Sequence, residues 1–306
     1  MSLSVTFATV VTMLLYCIPG YLLVKGRLLS AKDAPSFAVY LLYVSTPCLI
    51  IDSMQQITYT PYIARYMLIS LVVSVVMMAG GMGALYLVLR RKQAEVPYRI
   101  CVCGAAMGNV GFMGLPLLRA LLPDYPQMLT FTSMFILTLN VLMWSMSSWI
   151  MTRDKRYISL RKALVNPAAI SVMLGLILFL ARFRLPDRLL DMVSLMSRMC
   201  TPISMLVLGM RLASAPIKPI FTNRLQYATV ALKLVVLPLI MLALCRLFPL
   251  ERDFIRGVFI LSCVPAGNTV LSFSELLGEG QDVAANVVLL STMLSMLTIP
   301  AMLLLI

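Results

Sequence analysis

Between Tyr66 and Leu89 the chain runs for 24 residues without a charged side chain, and similar stretches recur along its whole length. A helix needs about 20 apolar residues to cross the hydrocarbon core of a bilayer. Inside that core every backbone N–H and C=O must find a partner within the protein, so only helices and closed barrels span it. A barrel would show short segments of alternating polarity; these runs are long and continuous. The composition, 61% hydrophobic and 12% charged, is too apolar for a soluble domain. The chain reads as an all-α polytopic membrane protein.

Ten spans can be placed, near 5–24, 35–55, 62–89, 98–121, 126–151, 167–183, 187–212, 225–248, 254–277 and 282–305. The first begins shortly after Met1 without a basic leader, so it is expected to stay as a span. The longest link, around Arg153 to Lys162, leaves no room for an extramembrane domain. Lys and Arg divide unevenly between the links: fifteen in the odd-numbered ones, Lys218 among them, against eight in the even. The positive-inside rule then puts the odd links in the cytoplasm of a cell (inner) membrane and both termini outside. The net charge of +13 follows from that rule and from anionic lipid at the inner surface, with no nucleic-acid partner required.

Enzyme chemistry has little to work with. There is no histidine, and Cys101 and Cys103 are too close for a zinc pair spaced Cys-x-x-Cys. No nucleotide loop, triad or metal set is present, and no cofactor is expected. The seven cysteines and 24 methionines read as packing residues.

Sliding the chain along itself by about 155 residues aligns Gly20 with Gly175 and Thr46-Pro47 with Thr201-Pro202. With a few residues of slack, Arg99 meets Arg256 and Gly108-Asn109 meets Gly267-Asn268. These matches divide the chain into two five-helix repeats, 1–151 and 163–306, joined by a short cytoplasmic link, 152–162. A repeat with an odd number of spans enters the membrane in opposite senses, so the halves are inverted. The two Thr-Pro pairs mark kinks, because proline removes a helical hydrogen bond.

The fourth and ninth spans are interrupted. One holds Gly108-Asn109-Val110-Gly111 with Pro116 beyond it; the other holds Pro265-Ala266-Gly267-Asn268. A helix can break at membrane depth only inside protein or beside a wet cavity, and a matching pair of breaks points to the binding site of a secondary transporter. Broken ends expose helix N-termini, which favour anions. Asn109 and Asn268 either hold a carboxylate or join helices by hydrogen bonds. Ser272 and Ser274 are weaker candidates. Arg198 and Lys233 lie inside spans, where a cation is costly and usually faces a cavity or partner; Lys233 could instead snorkel to the near face. Acids are scarce, with Asp52 ending the second span and Glu275 late in the ninth. Two cations, two asparagines and few acids favour an anionic substrate.

Gly108-Asn-Val-Gly-Phe-Met-Gly-Leu-Pro-Leu117, Thr201-Pro-Ile-Ser-Met-Leu-Val-Leu-Gly209 and the tail from Asn286 to Pro300 resemble the auxin efflux carrier family. That family includes plant PIN auxin exporters and bacterial malate and malonate permeases, and this chain resembles the short bacterial branch. The resemblance implies ten helices in an NhaA-like fold with crossed broken helices, and a homodimer. Its crossover residues fall on Asn109, Pro116, Pro265 and Asn268. The PIN pattern at the crossing is Asn-Pro-Asn; here it is Gly-Asn-Val and Ala-Gly-Asn, with the prolines displaced. The expected function is secondary transport of a small mono- or dicarboxylate by alternating access, coupled to H+ or Na+. A bile-acid-type sodium symporter, a cation antiporter and a non-transporting membrane sensor are the alternatives.

Overall fold

The computed structural model describes Ala8, residues 11–12, 15–214 and 223–306; most of the first half of the first expected span, and Lys218, lie outside those residues. Helices account for nearly all of the rest, and no strand occurs among the described residues. In chain order they are α1 (Cys17–Lys25), α2 (Ala34–Gln55), α3 (Pro61–Val88), α4 (Val96–Ala106), α5 (Val110–Leu121) and α6 (Gln127–Thr152). There follow α7 (Pro167–Leu180), α8 (Asp187–Ser214), α9 (Arg224–Arg246), α10 (Arg252–Cys263), α11 (Asn268–Leu277) and α12 (Gln281–Leu305). Among the described residues, seven stretches are long and apolar enough to cross a membrane: α2, α3, α6, α7 with the turns before it, α8, α9 and α12. The expected fourth and ninth spans are each two short helices, α4 with α5 and α10 with α11, because each breaks in the middle.

Proline accounts for several irregularities, though the wide π-helical turns at Val76–Gly80 and Met143–Ser147 have none after them. Proline has no N–H for the carbonyl four residues back, and its ring pushes that carbonyl away. A wide π-helical turn precedes three of the prolines: Leu41–Ser45 before Pro47, Val110–Gly114 before Pro116, and Leu232–Val236 before Pro238. In α8 the chain loosens at Met199 just before Pro202. Both Thr-Pro pairs therefore distort their helices.

The links at one end of the molecule touch one another. The side chain of Gln55, ending α2, donates to the carbonyl of Phe183 and accepts from the N–H of Leu185, in the link after α7. Tyr62 at the start of α3, Tyr125 after α5 and Glu251 before α10 share hydrogen bonds through their side chains. At the opposite end, Arg99 of α4 pairs with Glu279 ahead of α12 and donates to the carbonyl of Met151 at the end of α6. Successive long helices thus run back and forth between two faces.

Packing is close in two places. α1 and α8 touch backbone to backbone, since a Cβ on Gly20 would overlap the Leu206 carbonyl and one on Gly209 the Cys17 carbonyl. α7 lies on α2, with Gly175 against the sulfur of Met54. Small residues that let helices approach are the usual glue where lipid gives no hydrophobic drive. The interior holds Phe131, Phe135, Phe254 and Phe259 with several methionines, all fully buried. Outward lie Leu68, Val72, Leu87, Ile177, Leu195, Leu247 and Leu297, each more than half exposed. Such a surface suits acyl chains, not water.

Candidate functional site

The two breaks meet. α4 ends at Ala106 and α10 at Cys263, and the links after them pass antiparallel as a single bridge between Gly108 and Ala266. The Asn109 N–H donates to the Pro265 carbonyl at 2.8 Å, and the Gly267 N–H donates to the Met107 carbonyl at 2.9 Å. The Ala266 N–H donates to the Ser291 hydroxyl of α12 at 3.1 Å. Groups that breaking a helix would strand in hydrocarbon are thereby satisfied. Neither glycine is needed for a left-handed conformation; Gly267 has φ −73°. They are needed for space. A Cβ on Gly267 would stand 3.2 Å from the Gly108 carbonyl oxygen, and one on Gly108 would stand 3.0 Å from Val264 and 3.1 Å from the Lys233 ammonium.

Crossing in this way sorts the helix ends by charge. α5 and α11 point their N-termini at a small cavity of about 70 Å³, lined by the first residues of both, Asn109 to Phe112 and Gly267 to Thr269. Gly108 ahead of α5, Leu42, Thr46 and Leu49 of α2, Ile136, Leu139 and Asn140 of α6 and Ala168 of α7 complete it. The Asn109 side-chain oxygen caps α5, accepting from the Phe112 N–H at 3.3 Å. The Asn109 amide nitrogen and the Asn268 side chain make no hydrogen bond among the described residues. Asn140 uses its amide N–H on the Ile136 carbonyl, leaving its oxygen free. The Thr269 hydroxyl is buried without a hydrogen-bond partner among the described residues, and the Thr46 hydroxyl meets the Cys200 thiol. Asparagine amides round one cavity, beside two N-terminal dipoles and with no carboxylate in the lining among the described residues, suit a polar or anionic guest.

Lys233 occupies the other side of the crossing. Its π-helical turn buries it, at 2% exposure, and its ammonium donates to the Ser262 carbonyl in the last turn of α10 at 3.0 Å. No acid pairs with it among the described residues. The C-termini of α4 and α10 end here with their partial negative charges, and the ammonium answers them. Lys233 holds the crossing without lining the cavity, and it does not snorkel.

The other residues singled out in the sequence are spread more widely. Pro265 lies in the extended link and accepts from Asn109. Gly111 lines the cavity one turn into α5, and Pro116 lies further along, where it opens the π-helical turn. Arg198 is exposed and lines a separate, larger cavity. Ser272 is exposed and lines neither cavity, while Ser274 is buried and donates to the Leu271 carbonyl. Glu275 pairs with Arg211 at 3.6 Å, and Asp52 with Arg119 at 3.3 Å. Sequence reasoning missed Asn140 and Thr269, which carry no local signal, and gave Thr46 only the role of a kink.

A protein-family model described as "Membrane transport protein" matches residues 5–303. A search of curated proteins returned no match. Members of the matched family are membrane transporters, not enzymes. With almost its full length covered by that match, the chain belongs to the membrane transport proteins of the auxin efflux carrier family.

Proposed function

We propose that this transporter carries small organic anions, mono- or dicarboxylates such as malate, malonate or auxin-like carboxylates, by alternating access. The observation that carries this reading is the small cavity at the crossing. Two helix N-termini and the side chains of Asn109, Asn140 and Asn268 line it, and no acid does among the described residues. The apolar side chains of Leu42, Leu49, Phe112, Ile136 and Leu139 would hold the body of the guest. At about 70 Å³ the cavity has room for about two water molecules, so a carboxylate enters only as the surrounding helices part. Asn109 and Asn268 are the substrate-binding residues of this proposal, and Lys233 keeps their scaffold in place.

The architecture that goes with it is ten spans in two inverted repeats, 1–151 and 163–306. Seven long helices, two broken ones and α1 supply that number. Two features support the inversion. The breaks cross antiparallel, and the aligned glycines play matching parts, Gly20 packing α1 on α8 and Gly175 packing α7 on α2. We place the carrier in the inner membrane with both termini outside, coupled to H+ or Na+ and paired as a homodimer.

The test is uptake of labelled malate into proteoliposomes under separate proton and sodium gradients, with unlabelled carboxylates and indole-3-acetate as competitors. Gradient-driven uptake that competitors block, and that Asn109→Ala and Asn268→Ala abolish, is the expected result. Full transport by both variants would overturn the site. Saturable binding without flux for every anion in the panel would favour a sensor instead, and sodium dependence removed by substitution of Glu275 would favour a cation symporter.

A further inference from the structure

A second cavity, about 640 Å³, opens beside the crossing; Leu49 lines both. Its charged walls belong to different helices, Arg119 near the end of α5 and Arg198 in α8. No carboxylate lines it among the described residues. Arg198 has no hydrogen bond or ion pair among the described residues. Arg119 spends one of its N–H groups on Asp52 of α2 at 3.3 Å, and its side chain remains 35% exposed. Asp52 itself is 2% exposed, held from behind by the Ser197 hydroxyl at 3.0 Å and the Gln56 amide at 3.1 Å. A guanidinium offers five N–H donors in a fork that fits a carboxylate. Only one N–H of Arg119 goes to Asp52, so the rest of the fork is available to a carboxylate ligand. The volume is that of an ordinary small-molecule site.

We propose that this cavity is an anion-binding site of its own, in which a dicarboxylate bridges Arg198 and the N–H groups of Arg119 that Asp52 does not use. The inference rests on the organic-anion reading above, and it moves Arg198 from the crossing to an antechamber that Leu49 divides from it. Two guanidiniums select: a dianion engages both, a monoanion only one.

The test uses the purified full-length protein, titrated calorimetrically with malonate and with acetate. Arg198→Gln, an exposed change that spares the fold, should weaken malonate about tenfold and acetate far less, the loss of one charge-assisted contact. Asp52→Asn should tighten malonate by freeing Arg119. The double variant Arg119→Gln with Asp52→Asn removes the pair without stranding a buried charge, and it should weaken malonate again. The Asn109→Ala, Asn268→Ala double variant should still bind malonate here, although it carries none across a proteoliposome membrane. Malonate affinity unchanged by both arginine variants, or absent in the wild-type protein, would overturn the proposal. The reading of the crossing fails separately, when the asparagine variants transport at full rate.

Discussion

Asn109 does two jobs that a single substitution can separate. Its oxygen caps α5 through the Phe112 N–H, and its amide faces the cavity. Asn109→Ala removes the cap, at about 1 kcal/mol of stability. It leaves the bridge intact, because the bond to the Pro265 carbonyl comes from the backbone. Asn109→Asp keeps the cap and adds a negative charge at a helix N-terminus, which stabilises by about 0.3–1 kcal/mol. In the cavity, that carboxylate meets an anionic guest. At about 4 Å and an effective dielectric of about 20, the repulsion is about 4 kcal/mol, close to a thousandfold in affinity. The alanine variant should therefore melt slightly earlier than wild type and the aspartate variant no earlier, while neither takes up labelled malate. Thermal melts in detergent and proteoliposome uptake read the two effects independently. An Asn109→Asp carrier that still transports malate near the wild-type rate would refute the claim that the cavity takes an anion.

Two further outcomes follow from the geometry. Gly267→Ala drives a methyl toward the Gly108 carbonyl at 3.2 Å and the Thr269 hydroxyl at 3.0 Å, so it should destabilise by about 1–3 kcal/mol in thermal melts; Gly80→Ala, with nothing within 4 Å, should be neutral or stabilising by up to about 1 kcal/mol. Burial, with bonds to Tyr62 and Glu251, raises the Tyr125 phenol above its ordinary value of 10.0. A group raised on folding contributes stability that is full below its unfolded pKa and lost as pH climbs past it. Melts from pH 8 upward should show an alkaline loss above about pH 10 that is smaller in Tyr125→Phe; equal losses in the two proteins would exclude Tyr125 as its source.

Membrane insertion, the helical class and the two interruptions are legible in residues close together in the chain. An apolar run, or Gly-Asn within one, states its consequence locally, because the bilayer penalises any unpaired backbone group wherever it falls. Thr46-Pro47 and Thr201-Pro202 announce their distortions in the same way. The partners that finish the site lie far apart in the sequence. Asn140 and Thr269 join Asn109 only because α6 and α11 pack against the crossing. Lys233 and Arg198 are both cations inside apolar helices, and nothing in their neighbours in sequence tells their roles apart. The fold separates them: Lys233 turns to the Ser262 carbonyl, where two helix C-termini gather negative charge, while Arg198 opens onto a second cavity across from Arg119. Which charge a side chain answers depends on the dipoles and walls brought to it by other helices, and only the tertiary structure fixes those.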